Sequence, residues 1–271
     1  MGFYVNLGFN AYLMKKGQRL WTREEFILVL NLYLKLPFGK LDARTKEVKY
    51  LAGLINRTPG SVSMRLNNFA SVDPFHQKRG VSGLSGGGKQ VKPYWDEFMG
   101  NKDELLFESE ILVAQYEKRD IEDKYHDELD DITNLSGEDK IKLVKTRVNQ
   151  VVFRNIVLSN YNYKCAISGL PITELLVASH IIPWSENKIE RLNPENGICL
   201  SPLYDKAFDK GYIGINNNFQ IVLSNYLKLR IKEKSIHKNF ISIDGLKISV
   251  PRKYPPKLDF LKYHYDVIFK K

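Results

Sequence analysis

The chain has 271 residues, more than the ~100–200 of a usual single domain, so two domains are the starting expectation. Hydrophobic residues make up 43% and charged residues 27%, a balance that excludes a disordered or fibrous chain; no apolar run is long enough to span a membrane, and two cysteines suit a reducing cytoplasm rather than a disulfide scaffold. The net charge of +10 is uneven, with fifteen Lys/Arg against seven Asp/Glu in residues 1–99 (+8), thirteen against twenty in 100–209 (−7) and thirteen against four in 210–271 (+9). Basic ends around an acidic centre suit a protein that grips phosphate backbones and recruits a cation between them, although Lys-rich surfaces also simply keep proteins soluble.

In chain order, the apolar start MGFYVNLGFNAYLM has neither a basic head nor a small-residue cleavage site, so no secretory signal is expected. Thr22-Arg23-Glu24-Glu25 is a capping box, and Phe26, Val29, Leu30 and Tyr33 at i, i+3, i+4, i+7 predict a helix ending before Pro37. Val48, Leu51, Ala52 and Ile55 predict a second helix. After the turn Asn56-Arg57-Thr58, Pro59 opens a third, with Val62, Leu66 and Phe69 inward. The unit resembles a helix-turn-helix, whose last helix enters the major groove of DNA. Its outward face shows Gly60, Ser63, Met64 and Asn67, flanked by Arg65 and Asn68, side chains that could reach base edges. A generic helical hairpin with a solvated polar face is the competing reading.

Residues 78–93, KRGVSGLSGGGKQVKP, lack hydrophobic periodicity and predict a flexible basic loop. Lys78, Arg79, Lys89 and Lys92 either wrap a phosphate backbone or belong to a mere connector. Leu105, Leu106, Ser109, Leu112, Val113 and Tyr116 predict a helix over about 102–118. The acidic run 120–139 reads as a linker with a solvated face. A long helix from residue 140 carries Ile141, Val144, Val148, Val151 and Phe153 on its apolar side. Arg147, Gln150 and Arg154 lie on or near its polar side as candidate DNA contacts.

Next comes the densest cluster of chemistry-bearing residues. A strand approach at 175–178 leads to His180 in Ala178-Ser179-His180-Ile181-Ile182-Pro183-Trp184, and Gly197–Leu200 predicts the returning strand. Asn196 stands sixteen residues after His180, Asp205 nine after Asn196, and Asp209 four after Asp205. Pro202 opens a helix that Gly211 ends, and i, i+4 spacing puts both aspartates on one helical face. A neutral imidazole can take a proton from water, and paired carboxylates suit Mg²⁺ or Mn²⁺.

The stretch from Arg147-Val148-Asn149-Gln150 through Phe153-Arg154, Tyr163–Gly169, ASHIIPW, Asn196–Asp205 and Ala207–Gly211 resembles the HNH endonucleases of the ββα-metal fold. It is similar in particular to bacterial restriction enzymes of that type, in which W-x-x-E-E and R-x-P-G-S-V segments recur ahead of the HNH domain. The resemblance implies His180 as general base, Asn196 as the residue pinning the loop that orients it, and Asp205 and Asp209 as holders of one divalent ion, Mg²⁺ or Mn²⁺. Three departures matter. Asp205 stands where the third motif letter is commonly His, which argues for Mg²⁺ or Mn²⁺ and against Zn²⁺. Ser179 stands where many relatives carry a further ligand. Of the two Cys-x-x-Cys pairs of a structural zinc only Cys165 remains, with Ser168, Ser201 and Tyr204 at the partner positions and Cys199 out of register, so no structural zinc is expected.

The tail predicts strands at 212–215 and 219–224 across Asn216-Asn217-Asn218, a second pair at 240–243 and 247–250 across Asp244-Gly245, and a closing helix through Leu258, Leu261, Tyr265 and Phe269. His237 and His264 fall outside the motif spacing and read as structural or surface residues.

The expectation is an α+β protein. A helical, helix-turn-helix-like DNA-recognition domain at 1–119 precedes the acidic linker 120–139 and a ββα-metal nuclease domain with C-terminal hairpins at 140–271. The function expected is a metal-dependent, cytoplasmic endonuclease acting on double-stranded DNA as a homodimer, away from membranes, in a restriction or defence system. A homing or mobile-element nuclease and a DNA-binding regulator with an inactive nuclease fold are the alternatives, the second kept open by Ser179.

Overall fold

A computed structural model of the chain describes residues 19–37, 39–80, 86–129 and 136–271. The apolar start and parts of the predicted basic loop and acidic linker lie outside them. Three helices, α1 (Arg23–Lys35), α2 (Lys46–Leu54) and α3 (Pro59–Val72), form the first unit. The capping box is present: Glu25 N–H donates to Thr22 Oγ1 (3.3 Å) and Thr22 N–H to Glu25 Oε2 (3.0 Å). Glu25 does more than cap. Its carboxylate is buried and held by Arg57 (2.7 Å) from the turn before α3 and by Arg19 (2.5 Å), while the Arg57 guanidinium covers the Trp21 ring at 4.4 Å.

After the single turn α4 (Pro74–Gln77), the chain forms α5 (Gly87–Gly100), where the sequence reading expected loop as far as residue 93. Val91, Trp95 and Phe98 are buried at i, i+4, i+7, and their burial outweighs Pro93 inside the helix. The glycines that suggested flexibility permit close packing instead. A Cβ at Gly87 would lie 2.4 Å from Asn68 Oδ1 on α3, and one at Gly88 3.2 Å from Ser71 Oγ.

Helix α6 (Lys102–Tyr116) packs on α1, and the run read as a linker continues as two single turns, α7 (Ile121–Lys124) and α8 (His126–Leu129). Their non-acidic residues tie them down. Tyr125 and Leu129 are buried, and Tyr125 Oη donates to Oε2 of the buried Glu110 (2.7 Å), whose Oε1 accepts from Asn31 and Lys35. Burial pushes that carboxyl up, but Lys35 and Lys124 outweigh it and hold it down at about 2.

The 24-residue α9 (Gly137–Asn160) is the platform for the second half. It buries Val144, Val148, Val152, Phe153, Ile156 and Val157, whereas Ile141, expected on the apolar side, is exposed. Antiparallel strands β1 (Val177–His180) and β2 (Gly197–Leu200) pair in the register Val177↔Leu200 to His180↔Gly197, and α10 (Pro202–Asp209) follows. Strands β3 (Ile213–Ile215) and β4 (Ile221–Leu223) form the first predicted tail hairpin, shorter than expected. The second pair does not form: Ile241–Ile243 is a 3₁₀ turn, and Lys247 makes only an isolated bridge to Gln220. Short helices α11 (Asn225–Lys228), α12 (Lys234–Asn239) and α13 (Leu258–Tyr263) complete the chain, α13 running into a π-helical turn at His264–Ile268.

One cluster of buried side chains runs from α1 to α13. Polar ties cross it as well: Asn149 Nδ2 donates to Asp103 O (2.9 Å), Arg191 pairs with Asp103 (3.0 Å), and Lys253 Nζ donates to Tyr33 O (3.1 Å). Among the described residues no helix is long and apolar enough to cross a membrane.

Candidate active site

His180 closes β1 opposite Gly197. A Cβ at Gly197 would lie 2.4 Å from Val157 Cγ2 and 2.9 Å from Phe153 Cζ, so only glycine lets α9 come this close to the hairpin. The approach puts the Phe153 ring flat against the imidazole, 4.2 Å away at 13°, while Trp184 meets it edge-on at 5.5 Å. His180 Nε2 lies 2.8 Å from Arg191 O. A carbonyl only accepts, so Nε2 carries the hydrogen and Nδ1 keeps a lone pair. Burial lowers the pKa of the ring below its ordinary 6.5, partly opposed by the Arg191 carbonyl and the charge of Asp205. At neutral pH the imidazole is therefore a free base.

Fully buried Asn196 joins both ends of the loop between the strands. Its Oδ1 accepts from Ile182 N–H (2.8 Å), its Nδ2 donates to Ile182 O (3.2 Å) and Glu190 O (3.3 Å), and its own carbonyl accepts from Ile181 N–H (2.9 Å). That closure holds Arg191, whose guanidinium also lies over Trp184 at 4.7 Å.

Across an open cleft of about 430 Å³ from His180, α10 presents Asp205 and Asp209. Burial, reinforced by the charge of Asp205, pushes the Asp209 carboxyl above the usual range; Lys206 and Lys210 offset this in part. Ser179 and His264 also line the cleft. Lys206, Lys210, Trp184, Arg191 and His264 were not singled out as site residues. The first four sit inside or beside the motif stretch, where spacing alone could have flagged them, but His264 enters from the far tail with no local signal.

The candidate DNA contacts divide. Met64, Asn67, Lys78, Arg79 and Lys89 are exposed, and Arg147 and Gln150 are half-buried on α9. Several are engaged within the protein: Asn67 Nδ2 donates to Ser63 O (2.8 Å) and Leu41 O (3.4 Å), and the Arg79 guanidinium lies over Phe75 at 5.3 Å. Asn68 is buried beneath Gly87; Ser63 Oγ donates to Leu41 O (2.6 Å); Arg65 is packed over Trp21 and Phe26; and Arg154 donates to Thr173 O (3.0 Å) and Leu176 O (2.9 Å), bracing the approach to β1. Of the predicted site residues, His180, Asp205 and Asp209 line the cleft, Asn196 lies behind it, and α3 contributes nothing to its walls.

Cys165 Sγ accepts from Ser201 N–H (3.2 Å) and Ser168 N–H (3.4 Å), so the thiol ties the 165–168 turn to the start of α10. Among the described residues no three His, Cys, Asp or Glu side chains are grouped closely enough to hold a metal ion. The pair on α10 fits a hard cation that keeps water or takes substrate phosphate as its other ligands, the habit of Mg²⁺ and Mn²⁺.

The family model of HNH endonucleases matches residues 165–216, the span from the Cys165 turn through β1, β2 and α10 to the end of β3. That segment is thus similar to HNH endonuclease domains, and HNH nucleases generally use a divalent metal ion. No curated protein matches the chain.

Proposed function

We propose that the protein is a metal-dependent restriction or defence endonuclease that cuts double-stranded DNA, with residues 1–119 as its reading domain. The observation that carries the reading is the tethered imidazole facing two carboxylates across one cleft, within the segment that matches the family. His180 Nδ1 takes a proton from water as the water oxygen bonds to phosphorus and the P–O3′ bond breaks; the departing O3′ takes a proton from solvent, leaving a 5′-phosphate and a 3′-hydroxyl. Asn196 and Arg191 keep the ring aimed. Asp205 and Asp209 hold Mg²⁺ or Mn²⁺, which when bound supplies charge neutralisation at the phosphate and the departing oxygen. Lys206 and Lys210 border the cleft, where they favour a polyanion.

Exposed Met64 and Asn67 on α3, with Lys78, Arg79 and Lys89 nearby in sequence, are the proposed reading surface. One such site cuts one strand, so a double-strand break calls for two copies on the DNA. Digestion of modified and unmodified phage DNAs with Mg²⁺ or Mn²⁺, followed by end mapping, tests the proposal. Discrete 5′-phosphate ends from one DNA class are expected; cleavage of neither class under any metal would contradict it.

A further inference from the structure

Two residues that line the cleft each carry a buried polar atom without a hydrogen-bond partner: Ser179 Oγ, in a residue 2% exposed, and His264 Nδ1, in a residue 1% exposed. Buried polar groups are nearly always paired, and an orphan marks the place of a water, an ion or a ligand atom. His264 is held firmly. Its Nε2 donates to Phe208 O (3.0 Å), and its ring lies flat on the Phe208 ring at 3.6 Å and 1°. The donor role of Nε2 leaves a lone pair on Nδ1. Phe208 immediately precedes Asp209 on α10, so the stack ties the imidazole to the carboxylate-bearing helix.

The tail is built to keep it there. A Cβ at Gly211 would lie 2.1 Å from Ile268 O, Lys270 N–H donates to Gly211 O (2.9 Å), and His264 begins the π-helical turn. Such turns are frequent at functional sites.

We infer that His264 is a positioning residue of the metal centre: Nδ1 accepts a hydrogen bond from a water on the cation held by Asp205 and Asp209, and Ser179 Oγ is that water's second partner. The inference rests on the proposed metal-dependent nuclease. A water link fits better than direct ligation, because His264 completes no three-ligand group with the aspartates. It also gives the hydroxyl at 179 a role that needs no carboxylate.

The test is Mn²⁺ affinity by titration calorimetry on the DNA-free protein. His264→Phe keeps the stack on Phe208, and Phe208 O retains the Gly211 N–H (2.8 Å). It should bind Mn²⁺ about 10–100-fold more weakly with little change in Tm, and Ser179→Asp should restore binding in that background. A folded His264→Phe with wild-type affinity overturns the inference; if Asp205→Asn/Asp209→Asn abolishes binding at the same time, the nuclease reading stands. If the aspartate variants bind normally, both fail. Should His264→Phe not fold, ¹⁵N imidazole spectra of the wild type decide: Mg²⁺ must shift the His264 Nδ1 signal, and an unmoved signal overturns the inference.

Discussion

At the residue scale, the site depends on which atom of each side chain is free. His180 keeps Nδ1 available because Arg191 O occupies Nε2, and burial lowers its pKa. kcat/KM for cleavage should therefore rise with pH along an acid limb centred below 6.5, and a limb centred at or above 6.5 would count against this environment. Asn196→Ala strips partners from the buried groups of Ile182 and Glu190. It should cost about 2–4 kcal/mol in denaturant unfolding and lower kcat more than Mn²⁺ affinity, because the aspartates on α10 are untouched. Individual residues were unevenly legible. His180, Asn196, Asp205 and Asp209 stand out because motif spacing reports a strand, a loop and one helical face. Asn68 and Arg154 looked like DNA contacts because polarity in sequence does not say whether a group is packed away, as Asn68 is beneath Gly87, or taken by a backbone, as Arg154 is by the carbonyls of Thr173 and Leu176.

At the element scale, two glycines set distances that place the chemistry. Gly197→Ala drives a methyl into Val157 and Phe153, the ring under His180. A loss of about 1–3 kcal/mol is expected, with cleavage impaired and metal binding kept, a split read by titration calorimetry beside a cleavage assay. Gly211→Ala meets the carbonyl of Ile268 at 2.1 Å and a φ of +70°. It should loosen the π turn and speed exchange of the Phe269 and Lys270 amides. Elements with clear periodicity or turn signals were legible: α1 to α3, α6, α9, the β1–β2 hairpin and α10. Helix α5 was hidden because Gly87, Gly88 and Pro93 punctuate its first half, although Val91, Trp95 and Phe98 carry the helical spacing. The Asp244-Gly245 cue marks a real turn, with Gly245 at φ +75°, but Asp244 Oδ1 accepts from Leu223 N–H (3.2 Å) and the preceding residues coil instead of pairing.

At the scale of the whole molecule, the N-terminal helices and the part that carries the HNH-like segment share one core, sealed by Lys253 under Tyr33 and by the hydroxyls of Tyr33 and Tyr254 on Asp73. Composition could suggest two units but not this junction, since Tyr33 and Lys253 are 220 residues apart. Burial lowers His76 and His264 to about 4 and Lys253 to about 7. Between 4 and 6.5 the unfolded chain binds histidine protons that the folded chain refuses, and between 7 and 10.5 it binds a lysine proton likewise. Both contributions make stability fall as pH falls through those windows. Tm should thus climb from pH 4 to 6.5 and again from pH 7 towards 10, and Lys253→Met should flatten the upper rise.

In the proposed mechanism a tethered imidazole and a carboxylate-held cation cut DNA together. Cleavage of duplex DNA by His180→Ala beside the wild type, each with Mg²⁺ or Mn²⁺ and with EDTA, tests it most directly. The wild type should cut only with metal and the variant should bind DNA without cutting it; undiminished cleavage by the variant, or cutting by the wild type in EDTA, would contradict the account.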